Sequence, residues 1–157
     1  MEVASRAATA ADLDVLTVLA AEAIAELTPH RGGDLWSRQS ARPLPPTESL
    51  AADLASPEHH VVVGTIDDTI VGYGVIGRQI LADQSVLGVI SDLFTLEGAR
   101  GVSVGESMMD AMLEWARQSG CFGVDSLALP GDRQTKNFFE SFGLVARSIV
   151  VHRRLDR

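Results

Sequence analysis

A polar, glycine-bearing turn breaks the middle of this 157-residue chain: Ile90-Ser91-Asp92-Leu93-Phe94-Thr95-Leu96-Glu97-Gly98-Ala99-Arg100-Gly101-Val102-Ser103-Val104-Gly105-Glu106. A β-rich run leads into it and an amphipathic helix opens from it. The first turn of a helix carries unpaired N–H groups and the positive end of the peptide dipole, and small residues let an anion approach that backbone. The pattern therefore suits a phosphate group, with Arg100 as an added cation. It lacks the Lys-Ser/Thr of a P-loop, and its glycines are not spaced as in the dinucleotide fingerprint. A ligand-free strand-to-helix turn is the plainer alternative. Asp92 is the second chemical candidate. A carboxylate inside an apolar strand is either paired with a cation or exposed in a cleft as a general base, acting through a water. The four histidines, His30, His59, His60 and His152, have no ligand-like spacing with acids, so no metal is expected. Cys121 reads as a small buried hydrophobe, since a covalent acyl-cysteine route would need a base beside it.

Hydrophobic period supplies the elements that must hold these groups. Residues 3–8 read as a strand. Thr9 caps a helix over residues 10–27, where Leu13, Leu16, Leu19, Ala20, Ala23, Ile24 and Leu27 share a face. Residues 28–47, with Pro29, Gly32, Gly33, Pro43, Pro45 and Pro46, read as an irregular segment folded back on the domain. Within it Arg31, Trp36 and Arg38 are either a solvated loop with one anchoring Trp or pocket residues. Thr47 caps a short helix over residues 48–55. Runs at 59–66 and 69–80 flank Asp67-Asp68 as a hairpin, and 85–95 is a further strand. Residues 101–119 are helical, 122–129 a strand and 133–141 a helix capped by Asp132. Residues 144–155 read as a last strand or hairpin pair. This order predicts an α+β fold with a mixed, mainly antiparallel central sheet and helices on both faces, in one domain over residues 1–157.

At this point the chain resembles the GNAT superfamily of acyl-CoA-dependent N-acyltransferases. Their pyrophosphate loop, Arg/Gln-x-x-Gly-x-Gly/Ala, is similar to Arg100-Gly101-Val102-Ser103-Val104-Gly105 here. Their second signature, an aromatic-Glu-x-x-Gly-hydrophobic helix end, is similar to Phe139-Glu140-Ser141-Phe142-Gly143-Leu144, with Phe138 before it. The resemblance implies that Leu93, Phe94 and Thr95 bond a pantetheine arm through their backbone. It also implies that Gly101, Val102, Ser103, Val104, Gly105 and Glu106 wrap a pyrophosphate beside Arg100. Asp132 falls where many members place an Asn near the cofactor, and Phe139 where many have a proton-donating Tyr. There are two departures: Ser103 replaces the first loop Gly, and Phe139 has no proton to give. The only tyrosine, Tyr73, lies in an earlier β run and reads as a packed strand aromatic rather than a substitute acid. The expected activity is transfer of an acetyl group from acetyl-CoA to a small-molecule or peptide amine by direct attack. The alternative is an acyl-CoA-binding module without turnover.

Composition sets the outer bounds. The chain is 46% hydrophobic and 22% charged, too apolar to stay unfolded. Its net charge of −8, from 13 basic and 21 acidic residues, argues against a nucleic-acid partner and suits a cationic one. One cysteine closes no internal disulfide. The longest uncharged run, residues 69–77, is far short of the ~20 residues a membrane span needs. The expectation is a cytoplasmic protein, free of membrane, with a homodimer as one possible assembly.

Overall fold

Five strands form one sheet in the order β1-β2-β3-β4-β5, antiparallel except for the parallel pair β4–β5. They are β1 (Val3–Ala7), β2 (His59–Ile66), β3 (Thr69–Ile80), β4 (Val86–Thr95) and β5 (Gly123–Ser126). Helices α1 (Leu13–Leu27), α2 (Gly33–Gln39), α3 (Thr47–Ala55), α4 (Val104–Gln118) and α5 (Arg133–Ser141) complete the expected α+β fold. This computed structural model describes residues 1–156. No helix among them is long and apolar enough to cross a membrane.

Period-two alternation sorts the core into two layers. Val61, Val63, Tyr73 and Val75 point to one face, against Leu16, Leu19 and Ala20 of α1 and Leu50 of α3. Val62, Ile76 and Ile90 point to the other, against Met108, Met109 and Met112 of α4 and Phe139 of α5. Glycines let α4 sit close on this second face. A Cβ on Gly64 would lie 2.4 Å from Val104 Cγ1, and one on Gly74 would lie 3.0 Å from Met112. That close seat fixes where the N-terminus of α4 emerges.

One irregularity in β4 shapes everything that follows. Val75 pairs with Asp92, yet its neighbour Ile76 pairs with Ile90, so Ser91 has no opposite number. An extra residue bends its strand and resets which face each later side chain takes. Ile90 belongs to the α4 layer, and in a regular strand Asp92 would too. Instead Phe94 joins the α1–α3 layer and Leu93 the α4 layer, with Asp92 opposite Val75 on the α1–α3 side. The pairing of β4 with β5 stops at Ile90 and Ser126. Past the bulge the two strands part.

Four expectations need correcting. Residues 144–155 form no strand: their β-branched side chains favour extension, but no backbone ladder pairs with them. Residues 28–47 are not irregular throughout, because α2 begins at Gly33, whose Cβ would fall 2.0 Å from Leu27 O and so must be absent. The helix expected from residue 101 starts at Val104, since Gly101 (φ +84°) and Ser103 (φ +70°) are left-handed. The strand expected over 122–129 is only Gly123–Ser126, where its ladder with β4 ends.

Candidate active site

The parting of β4 from β5 opens a cleft of about 610 Å³. Residues 90–95 of β4 line its length, facing residues 126–129 and, on α5, Phe138 and Phe139. Beyond Ile90 the β5-side edge of β4 has no strand partner, so a row of backbone N–H and C=O groups faces the cleft. Leu93, Phe94 and Thr95 are the residues the sequence assigned to that edge, and all three line the cleft.

The phosphate-type turn closes one end. Arg100, Gly101, Ser103, Val104, Gly105 and Glu106 all line it. Val102 does not; its side chain packs against the α4 core, while the part expected of it is one for its backbone N–H. Ser103 stands at the N-cap of α4 without a side-chain capping bond, leaving the first-turn amides of this 15-residue helix open. A Cβ on Gly105 would lie 3.3 Å from the Phe138 ring, so α4 and α5 meet closely there. Arg100 is already engaged. Its Nε donates to Thr95 O at 2.9 Å, its Nη2 sits 2.9 Å from both carboxylate oxygens of Glu26, and its guanidinium lies 5.6 Å from the Phe94 ring centre.

Asp92 is the centre of a half-hidden polar network. Its carboxylate accepts from Arg42 Nε at 3.0 Å, Arg42 Nη2 at 2.8 Å, Tyr73 OH at 2.6 Å and Ser91 Oγ at 2.6 Å. Four donors fill the lone-pair sites of a carboxylate. The free carboxylate expected to act on water is therefore a saturated one, and the paired arrangement is what the fold builds. Arg42 also donates to Asp53 Oδ2 at 2.7 Å and Ser49 Oγ at 3.2 Å. Burial works against the Arg42 charge, but the carboxylates of Asp92 and Asp53 outweigh it and lift its pKa above that of a free guanidinium. Burial, then the charge of Asp92, pushes the Tyr73 phenol above its usual value, so the ring stays protonated as a donor.

The remaining candidates divide cleanly. Asp132 caps α5, accepting from Thr135 N at 3.2 Å and Thr135 Oγ1 at 2.7 Å, and it lines the cleft. Phe139 lines the cleft from a buried position in the core. Of the three residues singled out between 28 and 47, Trp36 lines the cleft; Arg31 and Arg38 do not. Arg38 instead pairs with Asp34 in solvent. Sequence reasoning missed Glu26, Arg42 and Asp53. Only Asp92 offered a signal for Arg42, because a carboxylate in an apolar strand demands a cation.

No curated protein matches the chain in sequence. Solved structures share its fold. The tetramutant of BH1408 protein from Bacillus halodurans superposes with a TM-score of 0.80 at 20% identity, over 99% of this chain and 100% of that one. AAC(6')-Iy in complex with a bisubstrate analog, CoA-S-monomethyl-acetylneamine, gives 0.76 at 15% identity, over all of both chains. An aminoglycoside acetyltransferase, meta-AAC0020, from an uncultured soil metagenomic sample and bound to sisomicin, gives 0.72 at 20%, over 99% and 96%. The family model for the acetyltransferase (GNAT) family matches residues 23–144, which span β2, β3, β4, the turn at Arg100 and α5. By that match the chain belongs to the GNAT acetyltransferase family.

Proposed function

We propose that the protein is an N-acetyltransferase that takes acetyl-CoA as donor and a cationic small-molecule or peptide amine as acceptor. The observation that carries this reading is the parting of β4 and β5 past Ser91, with an open helix N-terminus at the end of the gap. A free strand edge suits the amide-rich pantetheine arm, and open amides beside Arg100 suit a pyrophosphate. Acetyl-CoA would supply a thioester whose C–S bond breaks as the C–N bond to the acceptor forms. Backbone N–H groups of residues 93–95 hold the arm and polarise the carbonyl. The cleft lining sets Glu26, Asp53, Asp92, Glu106 and Asp132 against Arg42 and Arg100, a net acidic balance that favours a cationic acceptor over an anionic one.

The chain's own residues suit an acceptor that needs little help with its proton. Asp92 is saturated and is assigned to positioning Arg42 and Tyr73. An α-amino group with a pKa near 8 is partly neutral at pH 7 and can lose its proton to water in the cleft, whereas a lysine amine near 10.4 needs a base. On the leaving side Phe139 donates nothing, and Tyr73 is committed to Asp92. A thiol of pKa near 8.5 departs as thiolate without a full proton transfer. Binding without turnover is the second reading, and the same two aromatic side chains favour it.

Calorimetry with CoA and a turnover assay over a panel of amines separate the outcomes. CoA binding that is abolished by Gly105→Asp, with acetyl-CoA consumed in the presence of an α-amine, supports the enzyme. Binding with no turnover on any amine selects the module. CoA affinity unchanged in Gly105→Asp means that the site is elsewhere. Tyr73→Phe should leave turnover within a few fold.

A further inference from the structure

The carboxylates that line the cleft differ in what holds them. Asp53 and Asp92 share Arg42. Asp132 caps α5 through Thr135. Glu106 lies in the first turn of α4, on the side that suits the donor's phosphates. Glu26 is different in kind. Its partner is Arg100, the cation that the pyrophosphate would also claim, and its side chain is 39% exposed. A donor in the cleft competes for that guanidinium and leaves Glu26 with an unmatched charge.

The place of Glu26 adds to its pull on cations. It stands in the last turn of α1, which holds no basic residue, so its charge adds to the negative end of the helix dipole. His30 Nδ1 lies 2.8 Å from Glu26 O, and Gly33 seats α2 directly against Leu27 O. From α2, Trp36 brings an aromatic ring to the cleft wall, a second group that suits a cation. The guanidinium that Glu26 holds lies over Phe94, whose side chain is in the α1–α3 layer. The pair therefore closes the cleft on the side away from α4. Arg100 Nε reaches Thr95 O, three residues beyond Asp92. That is about 10 Å along an extended strand.

A donor anchored at Arg100 and running along β4 ends its thioester near Asp92, at the far end of that distance. The attacking amine must arrive neutral, because an ammonium has no lone pair to give. A carboxylate so far from the thioester, and of no use to a neutral amine, meets some other group of the acceptor. Resting on the reading of the cleft as an acetyl-CoA site, we propose that Glu26 determines specificity by binding a second cationic group of the acceptor. The acceptor class is then a diamine whose two nitrogens can stand about 10 Å apart. Because donor and acceptor compete for the two ends of one ion pair, each strengthens the binding of the other, and by the same factor.

Two assays test this. The first compares kcat/KM for 1,7-diaminoheptane, per amine, with that for heptylamine at saturating acetyl-CoA. Each ratio is taken within one protein, so a change in donor affinity cancels. The wild type should favour the diamine, and Glu26→Gln, an isosteric change, should lower that preference about fivefold. The second is calorimetry of 1,7-diaminoheptane with the free and the CoA-loaded protein. The diamine should bind the loaded wild type about fivefold more tightly than the free protein, and Glu26→Gln should show no such difference. Amine acetylation with the same diamine preference in both proteins overturns the inference and leaves the enzyme reading intact. Absence of turnover on every amine overturns the enzyme reading instead, and the calorimetry then decides the inference: binding that CoA does not strengthen, or strengthens equally in Glu26→Gln, refutes it.

Discussion

Arg42→Met removes one cation from between two carboxylates and leaves the aliphatic stem in place. The side chains of Arg42 and Asp92 are 11% and 10% exposed, and that of Asp53 is 20%. Breaking a buried pair by deleting one partner costs about 3–5 kcal/mol, because the remaining charge keeps its desolvation penalty. Asp92 retains Tyr73 and Ser91 as donors, and Asp53 has His59 Nε2 at 3.6 Å, which places the expected loss near the lower end, about 3 kcal/mol. Urea unfolding at pH 7 measures it. Asp92→Asn should rescue part of the loss in the double variant, giving clear non-additivity. A loss under about 1 kcal/mol, additive with Asp92→Asn, is the behaviour of a surface pair and would refute the reading of a buried hub.

Three further perturbations test other parts of the structure. Asp12 is held at about 2, first by its bond to Arg6, with burial opposing and the Thr9 N–H helping. That lowered value contributes stability above the unfolded carboxylate value near 3.9 that is lost as pH falls toward 2. With Arg6 half exposed we expect about 1 kcal/mol, absent from Asp12→Asn at pH 7, and an unfolding midpoint equal for the two proteins throughout would contradict it. Ser103 holds φ +70° without the freedom of glycine, so Ser103→Gly should stabilise by about 0.5–1 kcal/mol in urea unfolding; a loss would show that its hydroxyl does more than fill space. Glu26 holds Arg100 in an ion pair, and a half-exposed pair is worth about 0.2–1 kcal/mol, so Glu26→Gln should tighten CoA binding by up to about fivefold in calorimetry, whereas weaker binding would give Glu26 a direct role.

Much of the fold is legible in the sequence because its elements are strongly patterned. α1 buries one apolar face, and the near-continuous apolar runs of β2 and β3 around Asp67-Asp68 bury both of theirs, so burial marks each element in the sequence. The turn at Arg100 is legible for a different reason: small residues before an amphipathic helix imply open amides wherever the helix sits. What stays hidden depends on partners distant in sequence. Arg42 meets Asp92 across 50 residues, and nothing local to the prolines around it marks that meeting. The bulge at Ser91 is a property of two strands together, so β4 alone reads as an uninterrupted run. Residues 144–155 mislead for the converse reason: their composition favours a strand, but a strand exists only where something pairs with it.

The unpaired Ser91 invites one deletion in particular. Removing it would put Asp92 directly after Ile90, and each side chain of β4 would still face the layer it faces now, because the ladder partners Ile76 and Val75 are themselves consecutive. Only the bend would go. β4 could then continue alongside β5 past Ile90, exchanging an open gap for regular backbone pairing. The shortened chain should be the sturdier protein and the poorer ligand binder, a trade between stability and function concentrated in one residue. Point substitutions at Ser91 remove one hydroxyl donor to Asp92 and leave the bulge in place, so a deletion tests the bend and a substitution does not.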